Sequence, residues 1–557
     1  MCHESVASTT QSNMAHLPLL LTILAAVNFC PVSATKEPGA DGPVVKTKNG
    51  PIEGLYVEQG SMFLGIPFAA PPVGDLRWKP PQPPTPWAPS TFKATNISFA
   101  CVPIRNISLS APDSKTSEDC LYLNVFVPTI TNTSEKLPVF FWIHGGDFLL
   151  GSAMDSMYDG RFLANSTRTV VVAANYRLSA LGFLVAGQGE GAATGNFGIL
   201  DQVAALQWIQ DNIADFGGDK DRVTIFGQSA GAYSVVLHMT LEKSDHLFHR
   251  AIASSPPLSL FFKTRLEALL FGDDFARLLN CIPGDMQCMR SASTADIAKV
   301  QTDMLIEIQD PFQRLIEHAE PWGPTIDGDL ISSQVMYAFE NGRFHDKPFI
   351  VGSTTEEAVM FVSCVFAKLP TVEYYAMVYG LFPDDAVKVL LAYPPSGTGD
   401  EQSVASQLVT HYLFSCPARK TLRNAAKHES INIWLYVFAH ALPKGWPRIL
   451  SCCDGHVCHA TDIFFEFQSL KLTKYNYTHD EQILADSMAY YYGNFAYTGD
   501  PNKPGSHVAQ VKTAIPWPPY LQSNGFRNVR FDVPEDSIDQ QYLEERCDFW
   551  DEINPYP

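Results

Sequence analysis

Apolar residues recur along this chain in two rhythms. Short, almost unbroken apolar runs at 139–143, 169–175, 222–226 and 250–254 alternate with longer helix-period segments at 199–216 and 230–240. Runs that are apolar at consecutive positions predict strands covered on both faces. Their alternation with helices predicts an α/β fold: a large central, mostly parallel sheet flanked by helices, with functional groups beyond the C-terminal ends of its strands. Residues 35–60 read as a short β-rich lead-in. The stretch 67–89 carries many prolines, which deny a ladder its backbone donors and predict extended loop. Residues 260–350 and 365–430 read as helical insertions, 266–279 being one helix-period segment, and a last helix is expected over 536–550. No internal repeat or low-complexity linker divides the chain, so residues 35–557 are read as one domain.

Composition narrows the class. With 557 residues, 46% apolar and 18% charged, the chain can bury a large core. A net charge of −20 repels phosphate backbones and argues against nucleic-acid binding. The apolar run at 17–27, followed by Pro31 and Val32-Ser33-Ala34, is too short to span a bilayer and has the layout of a signal peptide over 1–34, cleaved after Ala34. It lacks a basic n-region; Met14 as the start would give a leader of ordinary length, and a buried helix is the alternative. Asn96, Asn106, Asn132, Asn165 and Asn476 stand in glycosylation acceptor sequences. Of twelve cysteines, Cys2 and Cys30 fall in the leader, and the even ten that remain suit an oxidising compartment. The C-terminal stretch 551–557 is neither an apolar anchor tail nor a retention signal. Together these features predict a secreted, soluble protein.

The chemistry is concentrated at Gly227-Gln228-Ser229-Ala230-Gly231, where a predicted strand runs into Gly-x-Ser-x-Gly and then a helix. Glycines there permit a sharp turn that exposes the Ser229 hydroxyl in a strained backbone, as a nucleophile requires; an ordinary helix-capping serine is the alternative. A second glycine turn, His144-Gly145-Gly146-Asp147-Phe148, leaves another predicted strand. Backbone N–H groups of Gly146 and Asp147, joined by that of Ala230, are candidates to face the oxygen that becomes negative in a tetrahedral intermediate.

These residues resemble the type-B carboxylesterases, which include the cholinesterases and their non-catalytic adhesion relatives. The resemblance extends to Glu118-Asp119-Cys120-Leu121-Tyr122-Leu123-Asn124-Val125, Phe63-Leu64-Gly65-Ile66-Pro67, Asn175-Tyr176-Arg177, Leu200-Asp201-Gln202 and Thr498-Gly499-Asp500-Pro501-Asn502. It runs from about residue 44 to 555 and implies an α/β-hydrolase fold with a Ser-Glu-His triad. Ser229 is then the nucleophile, Glu357 the acid and His459 the general base and acid, with Glu356 and His456 as near rivals. It also implies disulfides Cys101–Cys120, Cys281–Cys288 and Cys416–Cys547, and structural ion pairs Arg77–Glu118 and Arg177–Asp201. Cys453 with Cys458 would brace the histidine loop, leaving Cys364 and Cys452 as a last pair. The alternative for the cluster at 452–459 is a zinc site, which close Cys and His spacing also suits.

Three departures bear on substrate. No tryptophan lies between Cys101 and Cys120, where cholinesterases hold a quaternary ammonium by cation–π attraction. Gln228 replaces the glutamate that precedes the serine in cholinesterases, so choline esters are poor candidates. Asp147 stands where glycine or alanine is usual, and its carboxylate would either slow turnover of ordinary esters or act as a base that activates water against the acyl enzyme. The expectation is a secreted hydrolase of small neutral carboxylic esters, needing no metal or organic cofactor, with a homodimer through C-terminal helices. The rival reading is a non-catalytic binding protein on the same fold.

Overall fold

The computed structural model describes residues 42–104, 115–129, 135–307, 321–428, 432–443, 451–473, 475–511 and 514–556. The expected leader over 1–34, Asn106 and Asn132 lie outside the described residues.

One sheet of eleven strands organises the molecule. Its strands are β1 (Leu55–Val57), β2 (Gly60–Pro67), β3 (Tyr122–Pro128), β4 (Leu137–Ile143), β5 (Val170–Ala174), β6 (Gly218–Gln228), β7 (Arg250–Ser254), β8 (Phe349–Thr354), β9 (Ile433–Phe438), β10 (Arg527–Phe531) and β11 (Ser537–Gln540). Across the sheet the order is β11-β10-β9-β8-β7-β6-β4-β5-β3-β2-β1. The strands from β10 to β5 in that order run parallel, and antiparallel pairs finish both edges. The sheet's central strands β4 to β7 are those the unbroken apolar runs predict, whereas β8, β9 and β10 are not among those runs. Along β4, Val139, Phe141 and Ile143 enter one hydrophobic cluster while Phe140 and Trp142 enter another, as the two-residue pleat of a doubly covered strand dictates.

Helices α1 (Phe197–Asn212) and α2 (Ala230–His238) flank β6 in sequence, and every residue of α2 is buried. The expected insertions are helical: α3 (Arg265–Leu278), α4 (Thr371–Leu381), α5 (Ala386–Ala392), α6 (Gln402–Thr410) and α7 (Cys416–Ala425) lie within them. Then come α8 (Ile463–Glu466), α9 (His479–Thr498) and α10 (Glu544–Ile553). The last helix thus starts later than expected, because residues 537–540 pair antiparallel with β10 as the edge strand β11. Its Ser-Ile-Asp-Gln sequence has weak strand propensity, and the neighbouring strand decides its conformation.

The strand order sets the position of a site. From β4 the chain moves outward to β5 on one side, then returns to place β6 on β4's other side. Such a reversal leaves a crevice at the C-terminal ends of the two strands. The 144–148 turn follows β4 directly, and Ser229 follows β6 directly.

Candidate active site

At the end of β6 the chain turns through Ser229 with φ 59° and ψ −127°, a conformation that costs an L-residue on the order of 1–3 kcal/mol. Neighbouring backbone holds it there. The Ser229 N–H donates to the Ser254 carbonyl at 3.0 Å, and the Ser229 carbonyl accepts from the Tyr233 N–H at 2.8 Å. The glycine at 231 is required by close approach: a β-carbon there would sit 2.0 Å from the Ile143 carbonyl oxygen. Ser229 is only partly buried, and its hydroxyl has no hydrogen-bond partner among the described residues.

Glu357 and His459 meet over the same end of the sheet. Glu357 follows β8, is fully buried, and places Oε2 2.5 Å from His459 Nδ1. Its other oxygen accepts the Thr354 N–H at 2.6 Å. Phe361 and Phe414 lie against the imidazole at ring distances of 5.3 and 4.9 Å. On its far side, His459 Nε2 is 2.9 Å from the side-chain amide nitrogen of Gln228. An amide N–H only donates, so Nε2 carries the lone pair and Nδ1 the proton that faces Glu357. That is the tautomer a general base needs.

The two rivals form a pair of their own. His456 Nδ1 lies 2.9 Å from Glu356 Oε1, and Glu356 Oε2 accepts the Val457 N–H at 2.8 Å. This second Glu–His pair is considerably more exposed than the first. Disulfides tie the two loops together. Cys364, in the loop that follows Glu357, bridges to Cys452, and the adjacent Cys453 bridges to Cys458, next to His459. The cysteines that a zinc site would use are therefore committed to disulfides. Cys101–Cys120, Cys281–Cys288 and Cys416–Cys547 are bridged as well.

The oxyanion candidates come from the turn after β4 and the start of α2. Gly146 has φ 111°, and Asp147 and Phe148 follow with φ 57° and 55°. Asp147 therefore does occupy the left-handed region, which aspartate tolerates better than most residues carrying a β-carbon. Gly145 touches the elbow, since a β-carbon there would lie 3.0 Å from that of Ser229. Ala230 opens α2, so its N–H has no acceptor within the helix. His144 beneath the turn stacks on Tyr176 at 4.4 Å, and burial pushes its pKa down to about 4, so it is neutral near pH 7.

A buried acidic pair lies next to the histidine turn. Asp462 and Glu466 are both fully buried. Glu466 Oε1 accepts from Ser254 Oγ at 2.5 Å and Tyr492 OH at 2.9 Å, and lies 3.3 Å from the Tyr436 hydroxyl oxygen. Asp462 Oδ2 accepts from Tyr436 OH at 3.0 Å. Burial raises the proton affinity of both carboxyls, and the charges of Glu466 and Glu357 raise that of Asp462 further. Sequence reasoning passed over this pair. Two acids four residues apart around Ile463-Phe464-Phe465 were the available signal, because carboxylates in a buried apolar run need partners.

Among the other expected residues, Arg77 and Glu118 form a buried two-pronged ion pair at 2.6 and 2.7 Å, and Arg177 and Asp201 form another. Asn96 and Asn476 are exposed and Asn165 is partly buried.

A strained serine between a parallel strand and a buried helix, at the reversal point of such a sheet, is the architecture of the α/β-hydrolases. The chain belongs to the carboxylesterase family, whose profile matches residues 41–550. It is 34% identical to the crystal protein of Dictyostelium discoideum over 551 residues, 96% of each chain. It is 36% identical to the cAMP-regulated D2 protein of the same organism over 488 residues, 87% of this chain and 89% of the relative. Acetylcholinesterase 1 of Caenorhabditis briggsae is 31% identical over 513 residues, 82% of this chain and 78% of the relative.

Proposed function

We propose that the protein hydrolyses small neutral carboxylic esters through an acyl-serine intermediate, with Ser229, His459 and Glu357 as its triad. The observation that carries this reading is the buried Glu357–His459 pair, Oε2 to Nδ1 at 2.5 Å, at the sheet end where the strained Ser229 elbow stands. His459 takes the hydroxyl proton as Ser229 Oγ bonds to the carbonyl carbon, and the ester C–O bond then breaks as the same proton passes to the departing alcohol. Water, deprotonated by His459, next attacks the acyl carbon and frees the acid and Ser229. Glu357 stabilises the imidazolium throughout without taking its proton. N–H groups of Gly146, Asp147 and Ala230 stabilise the oxyanion, each by about 3 kcal/mol.

The test is incubation of the folded protein with a fluorophosphonate, followed by mass spectrometry. Mass added at Ser229, and none after Ser229→Ala, is expected; an inert wild type removes the hydrolase reading. One contact favours the second reading, a binding protein on this fold: Gln228, not Ser229, is the hydrogen-bond partner of His459 Nε2. Export through the leader over 1–34, and glycosylation at the acceptor asparagines, belong to the proposal. The five disulfides support export, and no helix among the described residues is long and apolar enough to cross a membrane. A homodimer through the C-terminal helices belongs to it as well, and sedimentation of a monomer at micromolar protein would remove that part.

A further inference from the structure

Ser229 and His459 are 230 positions apart, and β7 and β8 separate the strands that deliver them. The segment after β9 must therefore reach back across two strand ends to bring an imidazole to the elbow. Something has to fix the length of that reach, because proton transfer tolerates little error in the gap between base and nucleophile.

We propose that Glu466 is a positioning residue that fixes the His459 turn to the Ser229 elbow through Ser254. The proposal rests on the hydrolase reading above. Ser254 ends β7, directly opposite Gln228 in the ladder with β6, and its carbonyl holds the Ser229 N–H at 3.0 Å. Its hydroxyl donates to Glu466 Oε1 at 2.5 Å. The same oxygen accepts from Tyr492 of α9. One carboxylate oxygen thus joins the segment carrying His459 to β7 and α9, and Ser254 is one residue that touches both Glu466 and the elbow.

The cost of the arrangement argues that it serves geometry. Glu466 is fully buried, Oε2 has no hydrogen-bond partner among the described residues, and Ile463, Phe464, Phe465 and Phe467 beside it in sequence are apolar. An apolar side chain of similar size would avoid the desolvation of a carboxyl group. Such a side chain would not hold the Ser254 and Tyr492 hydroxyls at one point.

Glu466→Met keeps the volume and removes the acceptor, whereas Glu466→Gln keeps an acceptor oxygen for the Ser254 and Tyr492 hydroxyls. The readouts are the rate of fluorophosphonate addition to Ser229, and kcat and KM for a short-chain aryl ester. With the helical circular dichroism preserved, Glu466→Met is expected to slow labelling and kcat by roughly 10- to 100-fold, while KM moves less than about twofold. Glu466→Gln is expected to recover most of that loss. If Glu466→Met does not fold, Ser254→Ala carries the test, since it removes the side-chain link to the elbow and leaves the Tyr492 donor on the acid. Labelling of folded Glu466→Met, or of Ser254→Ala, at the wild-type rate overturns the proposal, and so does a Glu466→Gln protein as slow as the methionine variant. A wild type that does not label at all overturns the hydrolase reading instead, which keeps the two failures apart.

Discussion

Asp147 is the residue at which the proposed chemistry and the backbone pull in different directions. Its N–H belongs to the turn that is proposed to meet the oxyanion, yet the residue also carries a carboxylate into that turn, where a negative charge would oppose the oxyanion. The left-handed backbone, φ 57°, adds a smaller conformational cost. Asp147→Gly removes the charge and keeps the N–H, so faster acylation is expected, by roughly 10-fold or more for a cost near 1.4 kcal/mol. Deacylation should change less. The burst rate with a chromogenic ester reads acylation directly, and an unchanged burst would show that Asp147 does not slow that step. The sequence exposed this residue because its neighbours form a recognisable glycine turn. It did not expose the Gln228 contact with His459, because two side chains 231 positions apart meet only once the sheet has ordered them.

At the scale of elements, the loops that deliver the acid and the base depend on more than the strands they follow. Between β9 and His459 the chain runs for twenty residues, and two disulfides hold its later part. Cys364–Cys452 closes a separation of 88 residues and ties the His459 loop to the loop that follows Glu357. In the chain-entropy picture a closure of that size contributes about 4–5 kcal/mol, and replacing both cysteines by serine should lower the unfolding free energy by roughly 2–5 kcal/mol. Labelling of Ser229 should slow even where the protein stays folded, because the hydrogen bonds between the two loops are then left without their covalent tie. A urea midpoint that does not move would remove the stabilising role, and unchanged labelling would remove the catalytic one. The parallel strands β4 to β7 were legible because a strand buried on both faces is apolar at nearly every position, whereas β8, β9 and β10, separated by the long insertions, were not read from the sequence. The edge strand β11 was not, since its Ser-Ile-Asp-Gln sequence is weakly apolar and only pairing with β10 makes it a strand. The disulfide partners were legible through family resemblance, because spacing alone leaves many pairings open.

For the whole molecule, buried ionisable groups make stability depend on pH in two opposed ways. His144, His238 and His411 are buried, and burial lowers their pKa values to about 4, 3 and 4. Their neutral forms contribute stability above the unfolded value near 6.5, and that contribution is lost as pH falls through the folded values. The buried acids act the other way. Asp536, which receives a hydrogen bond from Ser487 on α9, has its pKa pushed up to about 6 by burial. The unfolded carboxyl loses its proton near 3.9, so the folded state holds an extra proton between about pH 4 and 6. Stability from this group is full below about pH 4 and falls as pH rises toward 6. Asp536→Asn keeps an acceptor for Ser487 and has no proton to lose. It is therefore expected to unfold with about 1–3 kcal/mol more difficulty than the wild type at pH 8, and with no such gain at pH 4. Denaturant unfolding of both proteins across that range separates ionisation from packing. An equal gain at both ends would assign the effect to packing, whereas a gain that grows from pH 4 to pH 6 and then levels would place the buried carboxyl's titration in the fold itself.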